Sequence, residues 1–427
     1  MKKLRKHVAW GLFIPALLLS GCSSSSSTAI DDGYTVTQKK LNDLVRIELT
    51  ETQKQYVTQN NVFALNLFKG VANAEKDKQS YLVSPLSVTY LMGMVNNGAA
   101  GDTQKEINDM LGFGSADAKA INEFCQKLME GAPNIDKSVQ IKIANLVEVN
   151  KNYTLKPGFK NTVENAYKAQ VESADFAKNA TLDRMNNWCK EHTNNLIPKI
   201  LEEIEPSAVS YLLNAIYFKG IWTNKFDVNE TKDKPFRSAK GVSADVPTMH
   251  QKEVLLYNSN DVYATLHLPY GNGGYSMEVL LPNEGKTTAD VIEAIGGDKW
   301  IQNLNGCRNY EVDVELPKFD TNYEVQLNGI LRALGAKRMF EPSAAEFPNF
   351  CNTNVYISTV LQKATIKVNE EGSEAAAVTV GGVMTTSTPE PVKIPTAVFH
   401  ANRPFIYAIT ENVTGSIYFI GVYGGDK

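Results

Sequence analysis

Metal-ligating residues are sparse in this chain and stand apart from one another. The five histidines, His7, His192, His250, His267 and His400, are widely separated among 427 residues, and neither an HExxH nor a CxxC spacing occurs. A metal or redox centre has no local signature here, and no cofactor is expected. Catalytic strings are missing as well. There is no GxSxG elbow and no P-loop, and GNGGYS at 271–276 lacks the last glycine of a dinucleotide fingerprint, so a hairpin turn accounts for it better. No acidic pair stands out as a general acid and base, which leaves the carboxylates as solvated surface and argues against an enzyme. An excess of positive charge is absent too. Lys and Arg number 43 against 47 Asp and Glu, and no basic run follows the first six residues. Nucleic acid is therefore not the expected partner.

A long apolar run is also lacking. Val8–Leu19 is too short to cross a bilayer comfortably, and Lys2, Lys3, Arg5 and Lys6 precede it as in a secretory signal. It ends in Leu19-Ser20-Gly21-Cys22, which resembles the lipobox of bacterial lipoproteins, where the cysteine is lipidated after cleavage. Residues 1–21 are thus expected to be a signal peptide, and Cys22 a lipidated first mature residue. The serine run Ser23–Ser27 can bury nothing and suits a flexible tether within a lead-in over 22–50. The protein is expected to leave the cytoplasm and hang by lipid from the bacterial envelope, on the periplasmic or surface face of the outer membrane. The other cysteines, Cys125, Cys189, Cys307 and Cys351, allow three pairings, but a chain of this size needs none, so they are read as buried free thiols.

What is present is a well-patterned core, with 43% of residues hydrophobic. Val62, Phe63, Leu65, Leu67, Phe68 and Val71 fall mostly at helical spacing, and Ser84-Pro85 opens a second apolar helix through Met94. Helices are predicted over 116–131, 159–169, 288–304 and 325–334. VQIKIANLVEV, YATLHLPY, YSMEVLLP and YEVDVELP alternate as strands do. HLPYGNGGYSMEVLLP reads as a hairpin turning on its glycines, and IYAITENVTGSIYFIGVY as another. Helices and antiparallel strands segregate, and no Pro/Gly linker interrupts the chain. One α+β domain over 51–427 follows.

One segment fits no ordinary element. VNEEGSEAAAVTVGGVMTTSTPEPVKIP, residues 368–395, lies between predicted strands at 360–368 and 397–409. Gly372 supplies a hinge. Positions 373, 375, 377, 379, 381 and 383 hold Ser, Ala, Ala, Thr, Gly and Val, small or β-branched and uncharged, while Glu374 falls on the other face. That half can become a strand. Pro389, Pro391 and Pro395 lack the N–H donor a central ladder needs, so the second half cannot. A long loop tied at both ends inside a compact domain is usually functional.

The residues from about Asn61 to Tyr423 resemble the serpin family. NEEGSEAAA (369–377) is similar to the proximal hinge of its inhibitory members, and ANRPFIYAI (401–409) resembles the segment that follows their reactive loop. NAIYFKGIW (214–222), YLVSPLSV (81–88), LPYGNGGYSMEVLLP, and ELPKF followed by LGAKRMF match in the family's order. The resemblance implies a serpin fold with about three sheets, eight to nine helices and an exposed reactive loop over about 370–396. It implies a suicide inhibitor of endopeptidases, acting as a monomer. A protease nucleophile opens the loop and forms an acyl-enzyme. The freed loop then enters the main sheet as a new strand before water can hydrolyse the ester.

The same resemblance assigns roles. Glu370, Glu371, Gly372, Ser373, Glu374, Ala375, Ala376 and Ala377 form the hinge, whose alanines allow fast entry. Ser84, Ser87, Asn214, Trp222 and Gln362 belong to the region where the sheet opens. Gln362 stands near a histidine of many relatives and could bridge to Ser84 or Asn214, but it cannot titrate. Counted forward along the hinge, the reactive bond falls at Thr386–Ser387, with Val383, Met384 and Thr385 as alternatives. Counting back from Pro404 favours 390–393 and so Lys393, against which Pro389 and Pro391 argue. The first cluster suits elastase-like or subtilisin-like serine proteases, Lys393 a trypsin-like one, and papain-like cysteine proteases are within the family's reach. The helix that binds heparin in some members corresponds to 116–131, which holds only Lys119 and Lys127, so heparin is not expected.

Overall fold

The computed structural model describes residues 45–373 and 394–425. Nine α-helices lie among them. The first four are α1 (Glu51–Ala74), α2 (Pro85–Gly98), α3 (Gly101–Leu111) and α4 (Ala118–Ile135). Then come α5 (Pro157–Ala166), α6 (Asn179–His192), α7 (Thr288–Ala294), α8 (Lys299–Gly306) and α9 (Asn328–Ala333). Thr50 starts α1 with a reciprocal capping box: its hydroxyl accepts from Gln53 N, and Gln53 Oε1 accepts from Thr50 N. Ser84 caps α2, and Pro85 occupies the first helical position, where a missing N–H costs nothing. Thirteen of the fourteen residues of α2 are buried, so this helix is core on every side.

The strands are β1 (Tyr81–Val83), β2 (Gln140–Asn150), β3 (Gln170–Ala174), β4 (Ser210–Ile221), β5 (Lys232–Arg237), β6 (Ser243–Ser259), β7 (Tyr263–Tyr270) and β8 (Tyr275–Pro282). After them come β9 (Arg308–Pro317), β10 (Phe319–Gln326), β11 (Leu361–Asn369), β12 (Gly372–Ser373), β13 (Thr396–His400), β14 (Phe405–Glu411) and β15 (Ile417–Tyr423). One sheet has six strands in the order β10-β11-β12-β4-β2-β3. The others form a nine-stranded network, β1-β15-β14-β8-β7-β6-β9-β13, with β5 on β6. The second and third of the expected sheets are continuous in this network because β6, seventeen residues long, pairs with β5, β7 and β9.

The six-stranded sheet is packed on both faces. Phe218 of β4 and Ala364 and Ile366 of β11 join the main core that surrounds α2. Leu146, Leu213 and Ala215 face the other way, into a smaller core with Met185, Trp188 and Cys189 of α6. Burial on both faces explains why VQIKIANLVEV alternates only in its first half, since Leu146–Asn150 is buried throughout.

Three sequence expectations shift. The helix predicted over 288–304 is two, α7 and α8, broken near Gly297, whose φ of +63° suits glycine. The helix predicted from 325 starts at Asn328, because Val325 and Gln326 still pair with β11. Patterning also left α3 and α6 unassigned, as their buried stripes are narrow and their other faces are polar. The four described cysteines are free and buried.

Candidate functional site

The site is built where the six-stranded sheet receives β12. Asn369 ends β11, Glu370 and Glu371 make the turn, and Gly372 and Ser373 enter the sheet between β11 and β4. Ser373 lies opposite Val368 on one side and Gly220 on the other, antiparallel to both. Gly372 has φ +145°, and a Cβ built there would come within 2.0 Å of Gly220 O. Only glycine can make this entry.

The glutamates are tied down. Glu370 Oε2 pairs with Lys318 Nζ at 2.9 Å, and Glu370 Oε1 accepts from Thr231 Oγ1 at 2.8 Å. Burial alone would raise the Glu370 carboxyl; hydrogen bonds from Lys318, the backbone and Thr231 outweigh it and hold the group below the usual carboxylate range. Lys225 Nζ pairs with Glu371 Oε2 at 2.5 Å.

Trp222 sits under this turn. Its indole N–H donates to Asn369 O at 2.9 Å, and its backbone N–H to Glu371 O at 2.9 Å. Its ring stacks on Tyr270 at 4.4 Å and 10°, and Tyr270 OH lies 2.6 Å from Ser373 Oγ. A buried indole and phenol thus each find the polar partner they need.

Below Ser373, no ladder joins β4 to β11 among the described residues, and both edges turn toward a cavity of about 340 Å3. Its walls are residues 207–213 on the β4 side and 354–361 on the β11 side, with Leu91, Met92 and Val95 of α2 behind. The N-terminus of α2 spans the gap higher up. Gln362 Oε1 accepts from Ser84 N at 3.0 Å and its Nε2 donates to Ser84 O at 2.8 Å. Ser87 Oγ donates to Asn214 Oδ1, whose Nδ2 donates to Asn145 Oδ1 at 2.7 Å. Gln362 therefore reaches Ser84, while Asn214 is engaged by Ser87 and Asn145. One helix turn fastens both edges of the slot.

The structure brings together Glu370, Glu371, Gly372, Ser373 and Trp222 at the top, and Ser84, Ser87, Asn214 and Gln362 lower down. Glu374, Ala375, Ala376, Ala377, Val383, Met384, Thr385, Thr386, Ser387, Lys393 and Cys22 lie outside the described residues. Sequence reasoning missed Tyr270, Lys225, Thr231 and Lys318. Lys318 and Tyr270 stand inside strings already singled out, ELPKF and LPYGNGG, but no local pattern shows which residue each will touch.

Known proteins of this shape agree. The family model described as Serpin (serine protease inhibitor) matches residues 58–424. Serpin-Z10 of Arabidopsis thaliana is 32% identical over 383 residues, spanning 86% of this chain and 96% of that protein. The leukocyte elastase inhibitor of Sus scrofa is 32% identical over 381 residues, spanning 86% and 98%. Among solved structures, the thermophilic serpin Tengpin in its native state superposes with a TM-score of 0.78 at 30% identity, covering 89% of this chain and 95% of that one. A match of this extent, on a chain whose Gly372 and Ser373 enter a six-stranded sheet between β11 and β4, makes this protein a member of the serpin family.

Proposed function

We propose that this serpin is an irreversible suicide inhibitor of serine endopeptidases, trapping the acyl-enzyme by drawing its cut loop into the slot between β4 and β11. The observation that carries the reading is the seated hinge above an unpaired slot. Ser373 already makes the first step of the strand, a residue 1% exposed whose hydroxyl meets Tyr270 OH. Continuing the same register places Ala375 opposite Phe218 and Ile366, and Ala377 opposite Ile216 and Ala364. The odd-numbered positions then face the main core, and these are the small uncharged residues. Further on, Val380 falls opposite Leu213 and Leu361, where β11 begins, and Val383 opposite Ser210, where β4 begins. Those are the walls of the cavity. The paired edges thus accommodate the chain to about Val383, just short of Thr386–Ser387, which favours that bond over Lys393.

A new central strand forms ladder bonds on both sides. About a dozen such bonds at about 1 kcal/mol each supply on the order of 10 kcal/mol, enough to make the uncut state a kinetic trap. Val383–Thr386 suits a protease with a small or medium apolar pocket, elastase-like or subtilisin-like, in keeping with the name of the porcine relative. Attachment to the bacterial envelope through a lipidated Cys22 belongs to the same proposal and rests on the lipobox-like string. The test of the bond is the mass of the C-terminal fragment released on protease challenge. Cleavage after Thr386 is expected, and cleavage after Lys393 or outside 383–394 would overturn the register.

A further inference from the structure

Strand β13 takes up the chain where the reactive loop ends. It lies at one end of the nine-stranded network, parallel to β9, and β6 pairs with β9 on the other side. Residues paired across a sheet share a face, so the register sets out rows on the outer surface. Thr396, Glu311 and Val254 form the row nearest the loop, and Val398, Asp313 and Lys252 form the next. The inner face is core, with Val312, Val314 and Phe399 wholly buried.

The outer face is open to solvent. Val398 is 64% exposed, Val254 46%, and Ile394, two residues before β13, 39%. Seven large apolar side chains are at least this exposed among the described residues, and three of them stand here. Single exposed valines are ordinary on a strand, but three beside a segment offered to another protein mark a docking surface. Between the valines runs an acidic column. Glu311 pairs with Lys252 at 3.0 Å, and both side chains stay well exposed. Lys252 is thereby turned to Glu311, and Asp313 Oδ1 accepts instead from His250 Nε2 at 3.0 Å and His400 Nε2 at 3.4 Å. Partial burial would raise the Asp313 carboxyl; the hydrogen bonds outweigh it and leave the group below the usual range, ionised at neutral pH.

We propose that this face is a second docking surface for the endopeptidase that attacks the loop, fitted to one with an apolar and a basic side chain beside its cleft. The apolar group meets Val398 and Val254, and the basic group meets Asp313 and Glu311. The inference rests on the reading of the loop as protease bait. Continuity and reach support it. Residues 387–395 span at most about 32 Å, and a protease of roughly 220 residues is about 40 Å across. A protease seated at Thr386–Ser387 can therefore rest its body on this face while its cleft holds the loop. Such a contact acts before the bond is cut, so it raises the rate of productive docking and leaves insertion untouched. It also supplies a discrimination that Val383–Thr386 lacks, since that cluster suits elastase-like and subtilisin-like clefts alike.

The test is the second-order rate constant for attack on the loop, read as loss of the intact chain, with a basic elastase and an acidic subtilisin. This constant is defined whether the protease is trapped or turns over. Asp313→Lys is expected to slow the elastase about tenfold at low salt and to leave the subtilisin no slower. The slowing should shrink in about 1 M NaCl, where the screening length falls to about 3 Å. Val398→Ser should slow the elastase about threefold. In both variants the number of inhibitor molecules consumed per protease should stay at the wild-type value. Asp313→Asn serves if Asp313→Lys does not fold. Unchanged rate constants in both variants would overturn the docking surface, as would equal slowing of the two proteases by Asp313→Lys. Failure of the inhibitory reading is seen separately, as a wild type that is cut without a denaturant-resistant band.

Discussion

Glu370 and Gly372 carry the hinge by different means, and each predicts a distinct response. Glu370 is held below the ordinary carboxylate range, so its contribution is complete above the unfolded-state value of about 4.3 and is lost as pH falls through the folded-state value. Glu370→Gln leaves Lys318 without its carboxylate and should lower the unfolding free energy at pH 7 by about 1 kcal/mol. It should also flatten the acid limb of stability between about pH 5 and 3, read from urea melts over that range. An unchanged acid limb would show that another carboxylate governs it. Gly372→Ala acts through the backbone. With φ +145° and Gly220 O in the path of the new Cβ, alanine cannot keep this conformation, and strain of about 1–3 kcal/mol must be relieved by unseating the hinge. Loss of the Trp222–Asn369 bond should then shift the emission of Trp222, and an unshifted spectrum would contradict the account.

At the scale of elements, the decisive pair is the slot and the strand that would fill it. If the loop inserts in the proposed register, Ala377 would face the main core opposite Ile216 and Ala364. A charged side chain there must be buried unpaired or kept out, so insertion slows and hydrolysis overtakes it. Ala377→Arg should raise the number of inhibitor molecules consumed per protease inactivated by at least about tenfold, measured by titrating residual protease activity. Ala376→Arg, on the opposite face, should do less at this position. Equal effects of the two would mean that the register is wrong. The alternation over 373–383 can be read from the sequence alone, and of it only Ser373 lies among the described residues, buried between Val368 and Gly220. The Trp222–Tyr270 stack and the Lys318 and Lys225 pairs were not legible, since they join residues that are distant along the chain. The split between α7 and α8 was missed for a local reason: the apolar spacing continues across Gly296-Gly297, and only the positive φ at Gly297 reveals the break.

For the whole molecule, the fold class followed from segregated helical and strand patterns, and the family from several strings in order. What sequence patterning did not reveal was the openness of the six-stranded sheet. The β4 and β11 edges, read alone, are ordinary strands, and only their separation shows that no ladder joins them below Ser373 among the described residues. The uncut state should therefore be less stable than the cut one. Nicking the loop with a catalytic amount of protease should raise the melting temperature by tens of degrees, as expected when on the order of 10 kcal/mol of ladder bonding is added. A melting temperature that stays put would mean the loop is cut without entering.

The central claim is covalent trapping. Its most direct measurement is a denaturing gel of the protein incubated with an elastase, a subtilisin and a trypsin in turn. The account predicts a denaturant-resistant band near the summed masses with the elastase or the subtilisin, together with a released C-terminal fragment beginning at Ser387. Cleavage by all three without such a band would contradict it and leave the loop as a plain substrate on a serpin fold.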